Sequence, residues 1–168
     1  TGPGILTATS FEARSLRAAA GDTGGRPLVR VCGLGAAHAA RAAEDLIRAG
    51  ATGLALWGLA SALEPDLRVG GVLLPRTIGD RDGAAYDVDA AWREAVRARL
   101  ARACPCATGL LVQVDDVLAS AEAKRGTRDA RAAFAADMES GAVAAVAREA
   151  RLPCLVIKAV CDRAADAM

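Results

Sequence analysis

The sequence predicts an α/β fold: a single domain in which a central sheet lies between helices. Three observations predict it. Short apolar runs alternate with alanine-rich amphipathic segments along the whole chain, the order a sheet covered by helices requires. The last apolar run, Cys154 to Val160, is continuous rather than alternating, as in a strand covered on both faces. The 168 residues, 53% hydrophobic and 24% charged, fit one globular domain and exclude a disordered chain.

The elements follow in order. Ile5–Ala8 reads as a strand. Phe11–Ala20 reads as a short helix, capped by Thr9 or Ser10 and ended by Gly21. The run Gly21-Asp22-Thr23-Gly24-Gly25 is a turn, and Leu28–Cys32 the next strand. The Gly33-Leu34-Gly35 loop leads into a helix over Ala36–Ala49, with Gly50 just past its end. Gly53–Trp57 is a strand, Gly58–Gly70 a loop, and Gly71–Leu74 a strand stopped by Pro75. Thr77–Asp87 is polar and reads as a loop. Asp89 caps a helix over Ala90–Ala103. Thr108–Val114 is a strand, and Ala119–Gly126 a short helix or turn. Phe134–Asp137 is a brief strand before a helix over Glu139–Ala150, and Cys154–Val160 closes the chain. A closing helix would normally cover that strand, so residues 1–168 are expected to be one domain lacking its C-terminal residues.

Composition removes several function classes. With 21 basic and 20 acidic residues the formal net charge is +1, which gives no general grip on nucleic acid or anionic lipid. Five aromatic residues leave few platforms for stacking nucleic-acid bases. No run approaches the roughly 18 apolar residues of a membrane span, and no secretory signal is visible at the N-terminus. Five cysteines, an odd number mostly within apolar runs, read as reduced buried thiols, so a cytoplasmic location is expected. Cys104-Pro105-Cys106 lacks metal-site spacing, and the single histidine, His38, is remote from it in sequence. No metal is expected.

Ligand sites in open α/β sheets gather at the carboxyl ends of strands. The polar residues just past the apolar runs include Glu12, Gly33-Leu34-Gly35, Gly58 to Ser61, Asp115-Asp116, Asp137-Met138-Glu139-Ser140 and Asp162. Carboxylates recur there, which suits proton exchange or hydroxyl binding. Each has a plainer alternative. Glu139 fits a helix N-terminus, Asp162 could cap a helix, Glu12 could be solvated, and the glycine loop could be only a tight turn. His38, in an alanine-rich helix, reads as structural.

The blocks Ala135-Ala136-Asp137-Met138-Glu139-Ser140-Gly141 and Leu152-Pro153-Cys154 through Val160-Cys161-Asp162, with Ile5 through Arg14 at the start, resemble the purine nucleoside phosphorylase and methylthioadenosine nucleosidase superfamily. Phe11-Glu12-Ala13-Arg14, Cys32-Gly33-Leu34-Gly35, Leu63-Glu64-Pro65-Asp66-Leu67-Arg68 and Asp137-Met138-Glu139-Ser140 are similar to its hopanoid-associated phosphorylases. The resemblance implies a mixed twisted central sheet and cleavage of the N-glycosidic bond of an adenine nucleoside. Asp162 would hold its proton near neutral pH, by desolvation, and protonate or hydrogen-bond N7 of the purine. Glu12 would orient the nucleophile or bind a sugar hydroxyl, Glu139 would bind the ribose hydroxyls, and Met138 would pack on the sugar. Asp116 and Val117 would border the base, with Trp57 and Gly58 also against the substrate. Gly33, Gly35 and Arg14 are the candidates for phosphate.

The leading expectation is phosphorolytic release of adenine from adenosylhopane, with inorganic phosphate as co-substrate and no other cofactor. Its partner is a small nucleoside, lipid-linked in the hopanoid case, and a homodimer is expected. Hydrolysis of methylthioadenosine or adenosylhomocysteine is the alternative, and an inactive family member the third reading. Three departures from the family pattern bear on the choice. Ser61 and Ala62 replace paired glycines; Glu12, Leu56 and Leu59 stand where phosphorolytic relatives place phosphate-binding residues; and no proline follows Asp162.

Overall fold

The computed structural model describes residues 2–20 and 28–167. In chain order these form β1 (Gly4–Thr7), α1 (Ser10–Ala20), β2 (Leu28–Val31), α2 (Ala36–Arg48), β3 (Leu54–Ala62), β4 (Val72–Leu73), β5 (Thr77–Gly79) and β6 (Ala85–Asp87). Then come α3 (Ala90–Leu100), β7 (Cys106–Ala107), β8 (Leu110–Gln113), α4 (Ala121–Arg131), β9 (Ala135–Asp137), α5 (Ser140–Glu149) and β10 (Cys154–Asp162). The turn expected at Gly21–Gly25 lies outside the described residues.

The described strands make one mixed sheet in the order β6-β5-β8-β9-β3-β10-β4-β7, with β1 paired to β3 and β2 to β1. This is the α/β architecture that the alternating pattern predicts. β3 is its axis. β10 runs parallel along one whole edge of β3. The other edge is shared: β1 pairs in parallel as far as Leu6 and Leu56, and β9 takes over antiparallel at Ser61 and Ala136. Among the described residues, no strand lies against that edge between Leu56 and Ser61.

The two faces of β3 differ. Leu54, Leu56, Ala60 and Ala62 face the main core, where they meet Ala39, Ala43 and Leu46 of α2 and Val143, Ala144 and Ala147 of α5. The small alanine side chains let both helices lie close to the sheet and to each other, so burial is achieved by packing density rather than by large residues. The opposite face carries Trp57 and Leu59 with Ile157 and Ala159 of β10. These line an apolar cleft of about 330 Å³ beneath α1 and α3.

Five boundaries differ from expectation. β3 does not end at Trp57 but continues through Gly58 to Ala62, because the alternation of its buried residues runs on through Gly58, Ala60 and Ala62. Thr77–Asp87 is a β5–β6 hairpin rather than a loop. Its turn is organised by Asp80, whose Oδ1 accepts from the Asp82 amide at 3.0 Å and the Ala84 amide at 2.8 Å. The expected Thr108–Val114 strand is the shorter β8, with β7 a separate strand before it, and at Gly109 between them a Cβ would lie 3.0 Å from the Phe134 ring. α4 runs past Gly126 to Arg131, closed by Ala132 in the left-handed region. β10 extends to Asp162 through a register shift after Val160 that leaves Cys161 unpaired with β3. Gly50 lies just past α2 at φ 89° as expected, and Asp89 caps α3, accepting from the Trp92 amide at 2.7 Å.

Candidate active site

The gap on β3 is filled by a carboxylate. Glu12, in the first turn of α1, points back to the strand ends and is buried. Its Oε2 accepts from the Thr9 amide at 2.7 Å and the Thr9 hydroxyl at 3.0 Å, and its Oε1 accepts from the Leu59 amide at 3.0 Å. The first turn of the helix favours this charge. Gly58 makes room for it: a Cβ there would sit 2.5 Å from Glu12 Oε1.

Across the gap, β9 ends in Asp137 and hands over to α5. Asp137 Oδ1 accepts from the Ser140 amide and hydroxyl, at 3.2 and 2.6 Å, which fastens the start of the helix. Gln113 at the end of β8 adds a second anchor, its Oε1 accepting from the Ala142 amide at 2.7 Å. Glu139 is thereby held at the recess, and its Oε1 accepts from the Gly35 amide at 2.8 Å. Gly33 and Gly35, at φ 91° and 94°, adopt backbone that other residues rarely reach, and this aims the Gly35 amide inward.

Lys158, on β10, is buried beneath these groups. Its Nζ lies 2.8 Å from Asp137 Oδ2 and 3.9 Å from Glu139 Oε2. Burial works against its charge, but Asp137 and Glu139 outweigh burial and raise its pKa. Desolvation pushes the Glu139 carboxyl up, and Lys158 only partly offsets it. Three carboxylates, Glu12, Asp137 and Glu139, thus share one ammonium. Acidic groups outnumber the one ammonium, and burial leaves charge there weakly screened. Such a site favours a ligand that carries or develops positive charge.

These groups border a recess of about 180 Å³, lined also by Leu34, Asp116, Val117 and Met138. Of the residues singled out from sequence, Glu12, Met138, Glu139, Asp116 and Val117 line the recess, and Gly58 backs it. Trp57 lies in the adjoining apolar cleft rather than in the recess, its indole N–H donating to Ser15 Oγ at 3.2 Å. Gly33 and Gly35 flank Leu34 at the rim, and the Gly35 amide is already engaged by Glu139. Arg14 is exposed and does not line the recess.

The surroundings of Asp162 favour its charged form. It is buried at the end of β10, in register with Ser61 across β3 from Ala136 of β9, so the two carboxylate-bearing strand ends do converge. Cys161, however, not Asp162, lines the recess. Asp162 Oδ2 accepts from the ammonium of Lys124, and Oδ1 accepts from the Cys161 thiol at 2.9 Å. Burial alone would raise the Asp162 carboxyl, but the Cys161 thiol, Lys124 and the Ser61 hydroxyl outweigh it and hold it below its usual range. The expected raised carboxyl is instead held low by these neighbours.

Lys158, Lys124 and the ion-pairing role of Asp137 escaped the sequence reading. A lysine inside an apolar strand and a lysine in the first turn of a helix are the signals that could have found the first two.

A family model described as the phosphorylase superfamily matches residues 5–168. No curated protein matches. Among solved structures, the chain is similar to 5′-methylthioadenosine/S-adenosylhomocysteine nucleosidase from Helicobacter pylori, with TM-score 0.90 and 19% identity over 98% of this chain and 86% of that one. It is similar to the corresponding nucleosidase from Neisseria meningitidis, solved with methylthio-immucillin-A, with TM-score 0.89 and 23% identity over 98% and 87%. It is also similar to futalosine hydrolase of Helicobacter pylori, with TM-score 0.88 and 20% identity over 98% and 86%.

Proposed function

Since the chain belongs to the phosphorylase superfamily, we propose that it cleaves the N-glycosidic bond of an adenine nucleoside with water as nucleophile. The observation that carries this reading is the buried surplus of carboxylates around Lys158. Cleavage places positive charge on the ribose as the bond to the base lengthens, and Glu12 and Glu139 stabilise that charge as it develops. Glu139 accepts hydrogen bonds from the ribose hydroxyls, and Met138 packs on the sugar. Glu12 takes a proton from the attacking water. Asp162, at the next strand end, serves the purine. The neighbours whose printed names end in nucleosidase or hydrolase are consistent with water in this role.

Phosphate fits less well than the sequence suggested. The same cluster of acidic groups repels a dianion, the Gly35 amide already serves Glu139, and Arg14 does not line the recess. One observation favours the adenosylhopane reading: the apolar cleft bounded by Trp57, Leu59 and Ile157 adjoins the recess through Glu12 and Leu59 and suits a hydrocarbon.

The test is adenine release from methylthioadenosine, adenosylhomocysteine and adenosylhopane, with and without phosphate. Release from methylthioadenosine at a rate independent of phosphate is expected. Release only from adenosylhopane and only with phosphate would replace hydrolysis by phosphorolysis. No adenine from any of the three would overturn the reading altogether.

A further inference from the structure

Lys124 is the one buried residue among those of α4, and it is fully buried. It stands one turn after the Ser120 cap, where the helix dipole disfavours a cation. The placement therefore depends on partners outside the helix. Its ammonium donates to Asp162 Oδ2, to the Arg163 carbonyl at 2.7 Å and to the Asp166 carbonyl at 3.0 Å, which occupies all three of its protons. Among the described residues it is the only cation within ion-pair distance of Asp162. The other groups facing the pair are the Cys161 thiol on β10, the Ser61 hydroxyl on β3 and Asp166. The Asp166 carboxylate is itself taken up by the Arg163 amide at 2.9 Å.

We propose that Lys124 is a positioning residue that keeps, on the Lys124–Asp162 pair, the proton the departing purine needs. The inference rests on the nucleosidase reading above. A carboxylate has no proton to give, so the pair stores it on Lys124 Nζ. As the bond from ribose C1′ to the purine breaks, its electron pair goes to the base. The proton moves from Nζ to Asp162, and the carboxyl so formed gives it to N7. Lys124 is left neutral, Asp162 ends as the carboxylate it was, and Glu12 carries one proton from the water that attacked C1′. Solvent then takes one proton from Glu12 and returns one to Lys124, so the sum is nucleoside plus water giving free sugar plus adenine. Without Lys124 the same proton must reside on a buried, unpaired carboxyl, which holds it only at lower pH.

The deciding experiment replaces Lys124 by methionine, of similar length and without charge, and reads two quantities. The first is the titration of the Asp162 carboxyl carbon by NMR in the unliganded protein. The second is the pH profile of kcat for adenine release. In Lys124→Met, Asp162 is expected to titrate at least about one pH unit higher than in the wild type. Adenine release should stay near wild-type below that pH and fall about tenfold per unit above it. An unchanged Asp162 titration, or a loss by the same factor at every pH, overturns the inference. Should Lys124→Met not fold, Lys124→Arg decides. An arginine keeps the charge but cannot surrender its proton, so a stable Lys124→Arg protein with wild-type kcat overturns the inference, and a loss of about 100-fold at every pH supports it. Failure of the nucleosidase reading looks different: the wild type then releases no adenine from any nucleoside, while the NMR titration still decides whether Lys124 sets the charge of Asp162.

Discussion

Glu12 is the residue on which local structure and proposed chemistry meet. Each of its hydrogen bonds comes from a neutral donor, so only the start of α1 and the shared Lys158 ammonium offset its charge. Glu12→Gln preserves shape and removes the base; adenine release should fall by roughly 10²- to 10⁴-fold with little change in Tm. Gly58→Ala tests position rather than charge. The added methyl must displace Glu12 Oε1, which a Cβ would approach to 2.5 Å. A shift of this size is expected to lower kcat by about 100-fold, and steady-state kinetics of both variants checks the pair.

At the scale of elements, local chemistry sets the boundaries and packing sets the registers. Asp89 alone caps α3, whose residues are otherwise unburied. Asp89→Ala should therefore lower stability by about 1 kcal/mol in denaturant unfolding without touching adenine release. Gly141 is the contrary case, buried in α5 where a Cβ would lie 2.8 Å from Asp80 Cα. Gly141→Ala should destabilise by about 1–3 kcal/mol.

The same contrast governs what could be read from sequence. The α5 region was legible because an acid-rich strand end runs directly into an amphipathic helix, and α2 because Gly35 and Gly50 bracket it. The β5–β6 hairpin was not, because its register comes from Asp80 bonding its own turn and from β8 alongside, a neighbour remote in sequence. The extension of β3 was hidden for a related reason: Gly58 looks like a strand end until the carboxylate that occupies its missing side chain is known. Glu12 and Glu139 were legible as acids at strand ends. Lys124 escaped notice: its place in the first turn of a helix is a signal, but its partner lies 38 residues away.

For the whole molecule, the ionisable groups predict how stability changes with pH. Asp162 and Asp80 are held below the usual carboxylate range. Burial opposes this in both, and it is outweighed by Cys161, Lys124 and Ser61 for the first and by the Tyr86 hydroxyl and turn amides for the second. A depressed carboxylate adds stability above its unfolded pKa, about 4, and that stability is lost as pH falls through its folded value. Lys158, raised by Asp137 and Glu139 against burial, adds stability that is present below the ordinary lysine range and lost as pH rises through its folded value. Thermal unfolding followed by circular dichroism should therefore show Tm falling below about pH 4, less steeply in Asp162→Asn.

That, among the described strands, β3 alone joins the β1 side of the sheet to the β9 side has a mechanical consequence. The two walls of the recess are bolted to one unbroken rod, so neither can swing without bending it. A ligand arriving there meets a mould already set, and selectivity has to come from how well its outline matches rather than from closure around it.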